Sequence, residues 1–506
     1  MKLKDIQIKN YRSIENETFS LEEVDGSSTY SLIGINESGK TSFLKAISLI
    51  DDGTVTYPKD FFDEAEPVDI VLVYELTDSD RKELNKDLSG KGLPKDLISK
   101  TKIEKVEIGV VFDAINPTTK ENYESVFFKE SIFPDYFFDG VNVVKKTESS
   151  TEPDFDLEAY FLKQFPSYFY KKTHVTTFWK SDPKHLISDQ INLDAFAINP
   201  EDVSIPLFNC FNLAEIDDIP GEINKIRTDP ARINNLQDKL GDRVTEHIKK
   251  VWPNHPVKIK FQINNMLLSF LIEDEKVKYK SKTTEQRSDG FRQFISFLLT
   301  ISAENSINQL SNSLLLLDEP ETHLHPRAQE NLKDELIKIT KNKENNIVIF
   351  ATHSNYMIDK DNMDRSYRVT KHGNLKTKIE KIKSASSSYA EVNYEVFDII
   401  SSDYHNELYG YLEDVDRSKL DGIPQIKTWH NSRTGVTGPV SICTYIRHSI
   451  HHPENTLNPK YTQEELAESI KILRDLKYPP TVKKTAKKTA KKVAVSAPQT
   501  IASQTP

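Results

Sequence analysis

Two sets of residues in this sequence have the types and spacing to do chemistry. The first is Gly34-Ile35-Asn36-Glu37-Ser38-Gly39-Lys40-Thr41, followed by Ser42. Glycines at these intervals, closing on a lysine and a hydroxyl, form a loop that wraps phosphate. They let backbone N–H groups converge on phosphate oxygens, and a helix beginning there adds favourable partial charge. Lys40 is expected to hold the β- and γ-phosphates and Thr41 to ligate Mg2+. The complement is Leu314-Leu315-Leu316-Leu317-Asp318-Glu319, an apolar run ending in paired carboxylates. Asp318 would join the Mg2+ shell and Glu319 would orient an attacking water. Gly34, Asn36, Gly39, Lys40, Thr41 and Ser42 are thus the expected nucleotide contacts, Thr41 and Asp318 the expected metal ligands, and ATP with Mg2+ the expected cofactors.

The second set is Tyr445-Ile446-Arg447-His448-Ser449-Ile450-His451-His452-Pro453-Glu454-Asn455. Pro453 disfavours helix at His452, which puts the cluster at a helix C-terminus. There the dipole's negative end favours an imidazolium, and Arg447 offers a fixed fork for phosphate. One histidine and one arginine suffice for metal-independent RNA cleavage. The first moves protons to and from the 2′-hydroxyl and the leaving oxygen, and the second stabilises the pentavalent phosphate. Two blander readings stand beside this one: a solvated helix end whose basic residues pair with acids such as Glu454, or a zinc site using His448 and His452. His451, four residues after Arg447, lies closer to its helical face than His452 does.

The elements that must position these residues follow from periodicity. The run before the glycine loop alternates as paired strands and ends in the apolar strand Tyr30–Gly34, and the run after it has helical spacing. Further strands are expected at 68–76 and 105–115, a mostly helical stretch at 157–250, and strands again at 257–263 and 266–274. An amphipathic helix at 290–307, a buried strand at 313–318, a helix at 328–342 and a buried strand at 346–354 give the βαβ rhythm of an α/β sheet. Beyond Lys383 the pattern is helical, and residues 479–506 are low-complexity lysine, alanine, threonine and proline. His405, Asn406 and Glu407 read as surface and packing residues of a helix start, and Trp429–Arg433 as a polar loop between helices.

With 506 residues, two or three folded units are expected. No run approaches the roughly 18 apolar residues of a membrane span, and Met1–Asp5 lacks the apolar stretch of a signal peptide. Cys210 and Cys443 are the only cysteines, which excludes a disulfide framework and a cysteine-rich zinc site. A cytoplasmic protein without membrane contact is expected. The net charge of −10 conceals six lysines after Pro479, so the rest of the chain is more acidic still. An acidic body argues against a protein that coats DNA.

Taken together, the glycine loop, the run Leu314–Pro326 and the strand Ile349–Ser354 resemble ABC/SMC-type ATPase heads. They are most similar to the RecF and overcoming-lysogenization-defect branch of bacterial repair and phage-defence ATPases. The resemblance covers residues 1–80 and 255–382. It implies that Arg287–Arg292, with Ser288 and Gly290, is the signature loop reaching a partner's γ-phosphate. It also implies that His353 is the switch histidine and that Pro320–Pro326, with His323 and His325, is a dimer-facing loop. No glutamine loop is matched. Two heads would sandwich two ATP molecules. Arg447 and His452 resemble the R-x4-H motif of HEPN ribonucleases, small helical bundles that pair their motifs across a dimer.

The expected architecture is therefore α/β: an ABC-type head with a mixed sheet and P-loop, an α+β insertion at 81–254, a C-terminal all-α bundle at 384–478 and a disordered tail at 479–506. Glu319, His353, Arg447 and His452 are the expected catalytic residues. The function implied is that of an ATPase subunit of a phage-defence system, dimerising through ATP and controlling metal-independent cleavage of RNA by its C-terminal domain, with tRNA one candidate for that RNA. Two alternatives are an ATPase scaffold that holds a separately encoded nuclease or toxin, and a DNA-repair clamp. The corresponding partners are a second copy of the chain with RNA, an effector protein, or DNA.

Overall fold

Leu314, Leu315, Leu316 and Leu317 are all fully buried, because the strand they form has protein on both faces. Ser313–Asp318 lies inside a six-stranded sheet in the order Val175–Lys180, Ser313–Asp318, Ile347–Thr352, Thr29–Ile33, Ser366–His372, Lys376–Lys381. The first five strands are parallel and the last is antiparallel. Side chains alternate across it. Leu314, Leu316 and Ile349 enter one core with Phe43, Leu44 and Ile47 of the helix Lys40–Ser48. Leu315, Leu317, Val348 and Phe350 enter a second core with Leu332 and Leu336 of the helix Pro326–Lys341. A continuous apolar run is what such a doubly covered strand requires.

The computed structural model describes residues 1–479 except 52, 101, 115, 117, 118, 181, 189, 228, 252–256, 275–280, 284–291, 293, 294, 298, 300–310, 323, 342, 343, 373, 374 and 383–387. The expected signature residues Ser288 and Gly290, His323 and the lysine tail lie outside the described residues.

The first core is closed by a five-stranded antiparallel sheet ordered Ile14–Ser20, Lys2–Tyr11, Val68–Glu75, Ile103–Phe112, Lys120–Phe128. Here the structure corrects the boundary placed at residue 80. Ile103–Phe112 and Lys120–Phe128 extend the same sheet as the N-terminal strand, and Val175–Lys180 pairs in parallel with Ser313–Asp318. The segment 81–254 is thus not one insertion but supplies strands to both sheets. Its strand Val175–Lys180 pairs with residues about 140 positions away, so no local pattern marks it as part of the head. The helices Ile205–Leu213 and Pro230–Val251 and the hairpin Val257–Asn264/Leu267–Asp274 form the other side of the second core.

The chain divides into two units, Met1–Phe397 and a second beginning at Asp398. The helix Tyr389–Phe397, expected in the C-terminal bundle, therefore belongs to the first. It buries Val392 and Val396 against Ile33, Ile358 and Met363. The second unit holds the helices Ser402–Asp421, Ile442–His451 and Gln463–Lys477. It also holds a two-stranded hairpin, Lys427–His430 with Thr437–Val440, so it is not purely helical. Trp429, expected in a loop, is buried on that hairpin with its ring edge-on to Tyr445.

His405 is a packing residue near the start of the helix Ser402–Asp421. It is fully buried, with Nε2 2.9 Å from the Ser469 hydroxyl. Burial holds its pKa down at about 4. A histidine depressed in the folded state stabilises fully above the unfolded value near 6.5, and that stability is withdrawn as pH falls toward 4. The loss amounts to roughly 3 kcal/mol over that window. Thermal melts of His405→Gln are expected to show a shallower fall in midpoint between pH 6.5 and 4 than the parent chain.

Candidate functional site

Three parallel strands bring the first set of residues to one edge. The strand Thr29–Ile33 runs into Gly34, Ile347–Thr352 into His353, and Ser313–Asp318 into Glu319. Their register places Ile33 beside Thr352 and Ala351 beside Asp318. The loop between strand and helix turns through positive φ at Glu37 (62°) and Gly39 (110°). Gly39 needs both its conformation and its bareness, because a Cβ there would collide with the Thr377 side chain.

Lys40 is 4 % exposed. Its Nζ donates to the carbonyls of Gly34 (2.9 Å) and Ile35 (3.0 Å) and lies 3.0 Å from His353 Nε2. Burial lowers its pKa to about 8, against the pull of Glu319 and Asp318. His353 Nε2 also lies 3.0 Å from Glu319 Oε1. One ring nitrogen cannot donate to the carboxylate and accept from the ammonium at once. The geometry therefore offers two tautomers, one serving Glu319 and one serving Lys40. Glu319 sits at φ 51° with its N–H on Ala351 O, 3.0 Å away. The contact with His353 holds its carboxyl below the usual range.

Thr41 Oγ1 donates to Asp318 Oδ1 at 3.0 Å. These are hard oxygen ligands, and burial raises the pKa of Asp318, a shift that a divalent cation would oppose. The donor set and the phosphate-sized turn fit Mg2+ and a nucleoside triphosphate. Thr41 and Asp318 would hold the metal, and Lys40 with the N–H groups of the turn would hold the phosphates. The metal would supply charge for the phosphates, while Glu319 would orient water and His353 would orient Glu319. Asn36 is exposed at the turn's apex and Ser42 is half-buried in the first turn of the helix.

The expectation missed Thr377. Its hydroxyl donates to Ser38 O (3.0 Å) and meets Ser13 Oγ (2.8 Å), bracing the turn from the edge strand. The alternation in Lys376–Lys381, with Thr377 and Ile379 pointing inward, was the available signal.

In the second unit, the helix Ile442–His451 is capped by Ser441 and ends at His452, whose N–H bonds His448 O at 2.8 Å. His452 and His448 share a face, with ring centroids 6.4 Å apart, and His448 packs on Trp429 at 5.2 Å. Burial, then His452 and Arg447, lower the pKa of His448. Arg447 points elsewhere, 5.4 Å over the Tyr409 ring and 4.0 Å from Glu413. No hydrogen bond or ion pair joins Arg447 to His452 among the described contacts. His452 Nδ1 instead meets Glu454 Oε1 at 3.4 Å. No group of three or more His, Cys, Asp or Glu side chains is placed to hold a metal among the described residues. Likewise, no helix among them is long and apolar enough to cross a membrane.

Replacing Glu319 by Gln is expected to leave ATP affinity unchanged while lowering turnover about a hundredfold or more, measured by phosphate release beside equilibrium binding. Because Lys40 loses its charge above about pH 8, affinity of the free protein for ATP should weaken as pH rises through that value.

The chain is 22 % identical over 448 residues to the Old nuclease of Escherichia phage P2, a match covering 80 % of this chain and 66 % of that protein. It is 28 % identical over 139 residues to an uncharacterized protein of Methanocaldococcus jannaschii, covering 26 % of this chain and 35 % of that one. The chain thus spans less than two thirds of the length of either relative. Among solved structures, an SMC head bound to the C-terminal winged-helix domain of ScpA aligns with a TM-score of 0.39 at 11 % identity, covering 76 % of this chain and 98 % of that one. The SMC head domain of Thermotoga maritima aligns with a TM-score of 0.34 at 12 % identity, covering 76 % and 100 %. Likenesses of that degree decide nothing about the site. The family profile of the AAA ATPase domain matches residues 1–358, a span that includes Lys40, Asp318, Glu319 and His353. The chain belongs to the AAA ATPase domain family.

Proposed function

We propose that this chain is the ATPase subunit of a phage-defence system, closing as a dimer on ATP and thereby controlling metal-independent cleavage of RNA by its C-terminal unit. The single observation that carries the nuclease part is the half-exposed His452 with Glu454 on its Nδ1. A carboxylate on one ring nitrogen favours the tautomer whose other nitrogen can accept a proton, as a general base requires. His448 stands beside it as a second proton carrier, and Arg447 supplies positive charge from the neighbouring face of the same helix. Similarity to a protein named as a nuclease supports the same direction. The 2′-hydroxyl would be the nucleophile, which selects RNA over DNA. The 3′-oxygen bond to the next nucleotide's phosphorus is not touched; the bond broken is that to the leaving 5′-oxygen, which takes up the proton given by the acid.

A second reading has one observation in its favour. Val415, Ile426, Val436 and Leu457 of the second unit are 62–68 % exposed, apolar side chains that a separately encoded effector could cover. Total bacterial RNA incubated with the full chain, ATP and Mg2+ separates the two. Mapping of new RNA ends is expected to show discrete cuts that vanish in Arg447→Ala, His452→Ala and Lys40→Ala. Intact ATP turnover with no cuts in any sample would replace the nuclease reading with the docking one.

A further inference from the structure

Glu321 follows the paired carboxylates on the loop that leaves the strand Ser313–Asp318, and nothing in the chemistry above uses it. It is 5 % exposed. One oxygen, Oε1, accepts from the Thr352 hydroxyl and from the His353 backbone N–H, the latter at 3.2 Å. The other, Oε2, is buried without a partner among the described residues. Thr352 Oγ1 in turn accepts from Ser354 N at 2.9 Å. Ser354 Oγ donates to Gln329 Oε1, and Gln329 Nε2 donates to Leu324 O at 2.7 Å. Leu324 N bonds back to Glu321 O at 2.9 Å. A closed ring of hydrogen bonds thus ties the loop after the acidic pair to the end of the strand that carries His353.

The geometry points to Glu321 as a positioning residue for ATP hydrolysis: by holding the Thr352 hydroxyl and the His353 backbone N–H, it sets the imidazole against Glu319 and Lys40. This rests on the reading of Lys40, Glu319 and His353 as the hydrolytic site. The argument is one of distance. His353 Nε2 has to lie at 3.0 Å from two groups on two other elements. A displacement of about 1 Å in a reacting constellation costs roughly a hundredfold in rate. The sheet holds the chain as far as Thr352, and the bond from the His353 N–H to Glu321 extends that hold by one residue. Among the described residues the carboxyl makes no ion pair, and burial raises its pKa to about 7. Its pull on Lys40 ranks behind those of Glu319 and Asp318, so it serves chiefly as a hydrogen-bond acceptor and an amide should largely replace it.

The test compares the full-length chain with Glu321→Gln, Glu321→Leu and Thr352→Val, measuring kcat and KM for ATP, equilibrium nucleotide binding and thermal melting. Glu321→Leu is expected to lower kcat about tenfold or more with KM and nucleotide affinity unchanged, and Glu321→Gln to restore kcat to within about threefold of the parent. A merely structural role would lower the melting point without splitting kcat from KM and without rescue by Gln. Should Glu321→Leu fail to fold, Thr352→Val decides: it removes one of the two donors and should lower kcat about threefold, again at constant KM. A folded Glu321→Leu chain with parental kcat, a Gln variant as slow as Leu, or a Thr352→Val chain indistinguishable from the parent would each overturn the inference. A parent chain that binds ATP and never hydrolyses it would overturn the reading of the site along with it.

Discussion

Everything at the nucleotide site depends on the register of three adjacent parallel strands. Thr29–Ile33, Ile347–Thr352 and Ser313–Asp318 end level with one another, Ile33 beside Thr352 and Ala351 beside Asp318. A slip of one residue would turn Leu314 and Leu316 out of one core and into the other, together with every neighbour on the strand. The packing of two hydrophobic faces therefore fixes where each strand stops. Chemistry begins where the strands stop: Gly34, His353 and Glu319 each stand one position past the last sheet residue.

The same burial shapes the electrostatics. Buried Lys40 feels the negative charge of Glu319, Asp318 and Glu321, and its ammonium rests on two carbonyl oxygens. In such surroundings a charge interacts far more strongly than in water. His353 has one nitrogen facing both signs, so the position of a single proton decides whether Lys40 or Glu319 is engaged. Bringing negative charge to Lys40 would favour the tautomer that donates to Glu319, the residue proposed to orient water. Coupling of this kind needs no large motion.

Much of the nucleotide site was legible because its residues lie at ends of elements with strong local signals. Lys40 and Thr41 open a helix after a glycine turn, and Asp318 and Glu319 close an apolar strand. Thr377 and Glu321 were not legible in that way. Each acts by a hydrogen bond to a residue more than thirty positions distant, and neither has a spacing of its own. The extent of the head was misjudged for the same reason: Val175–Lys180 joins the central sheet by pairing that only the fold reveals. In the C-terminal unit, the helix end at His452 followed from Pro453. The direction of Arg447 did not, because Tyr409 and Glu413, on a different helix, decide it.

How a change at the nucleotide site would reach beyond the head is constrained by a small third core. Ile33 at the end of the phosphate-loop strand, Ile358 after the His353 segment, and Met363 pack with Val392 and Val396 of the helix Tyr389–Phe397. Asn355 Nδ2 bonds Asn393 Oδ1 at 3.2 Å, the Tyr356 and Tyr389 rings meet at 5.2 Å, and Tyr389 donates to Glu330 at 2.6 Å. Close-packed side chains of this kind change arrangement in steps and do not stretch. A shift of Ile33 or Ile358 would either carry Val392 and Val396 with it or open a cavity, at a cost of about 1 kcal/mol for each methyl-sized gap. The chain continues from Phe397 directly into the second unit. A ligand biases two arrangements only by the difference in its affinity for them. Of the residues in this core, Ile33 directly precedes Gly34 in the chain and Ile358 lies five positions after His353.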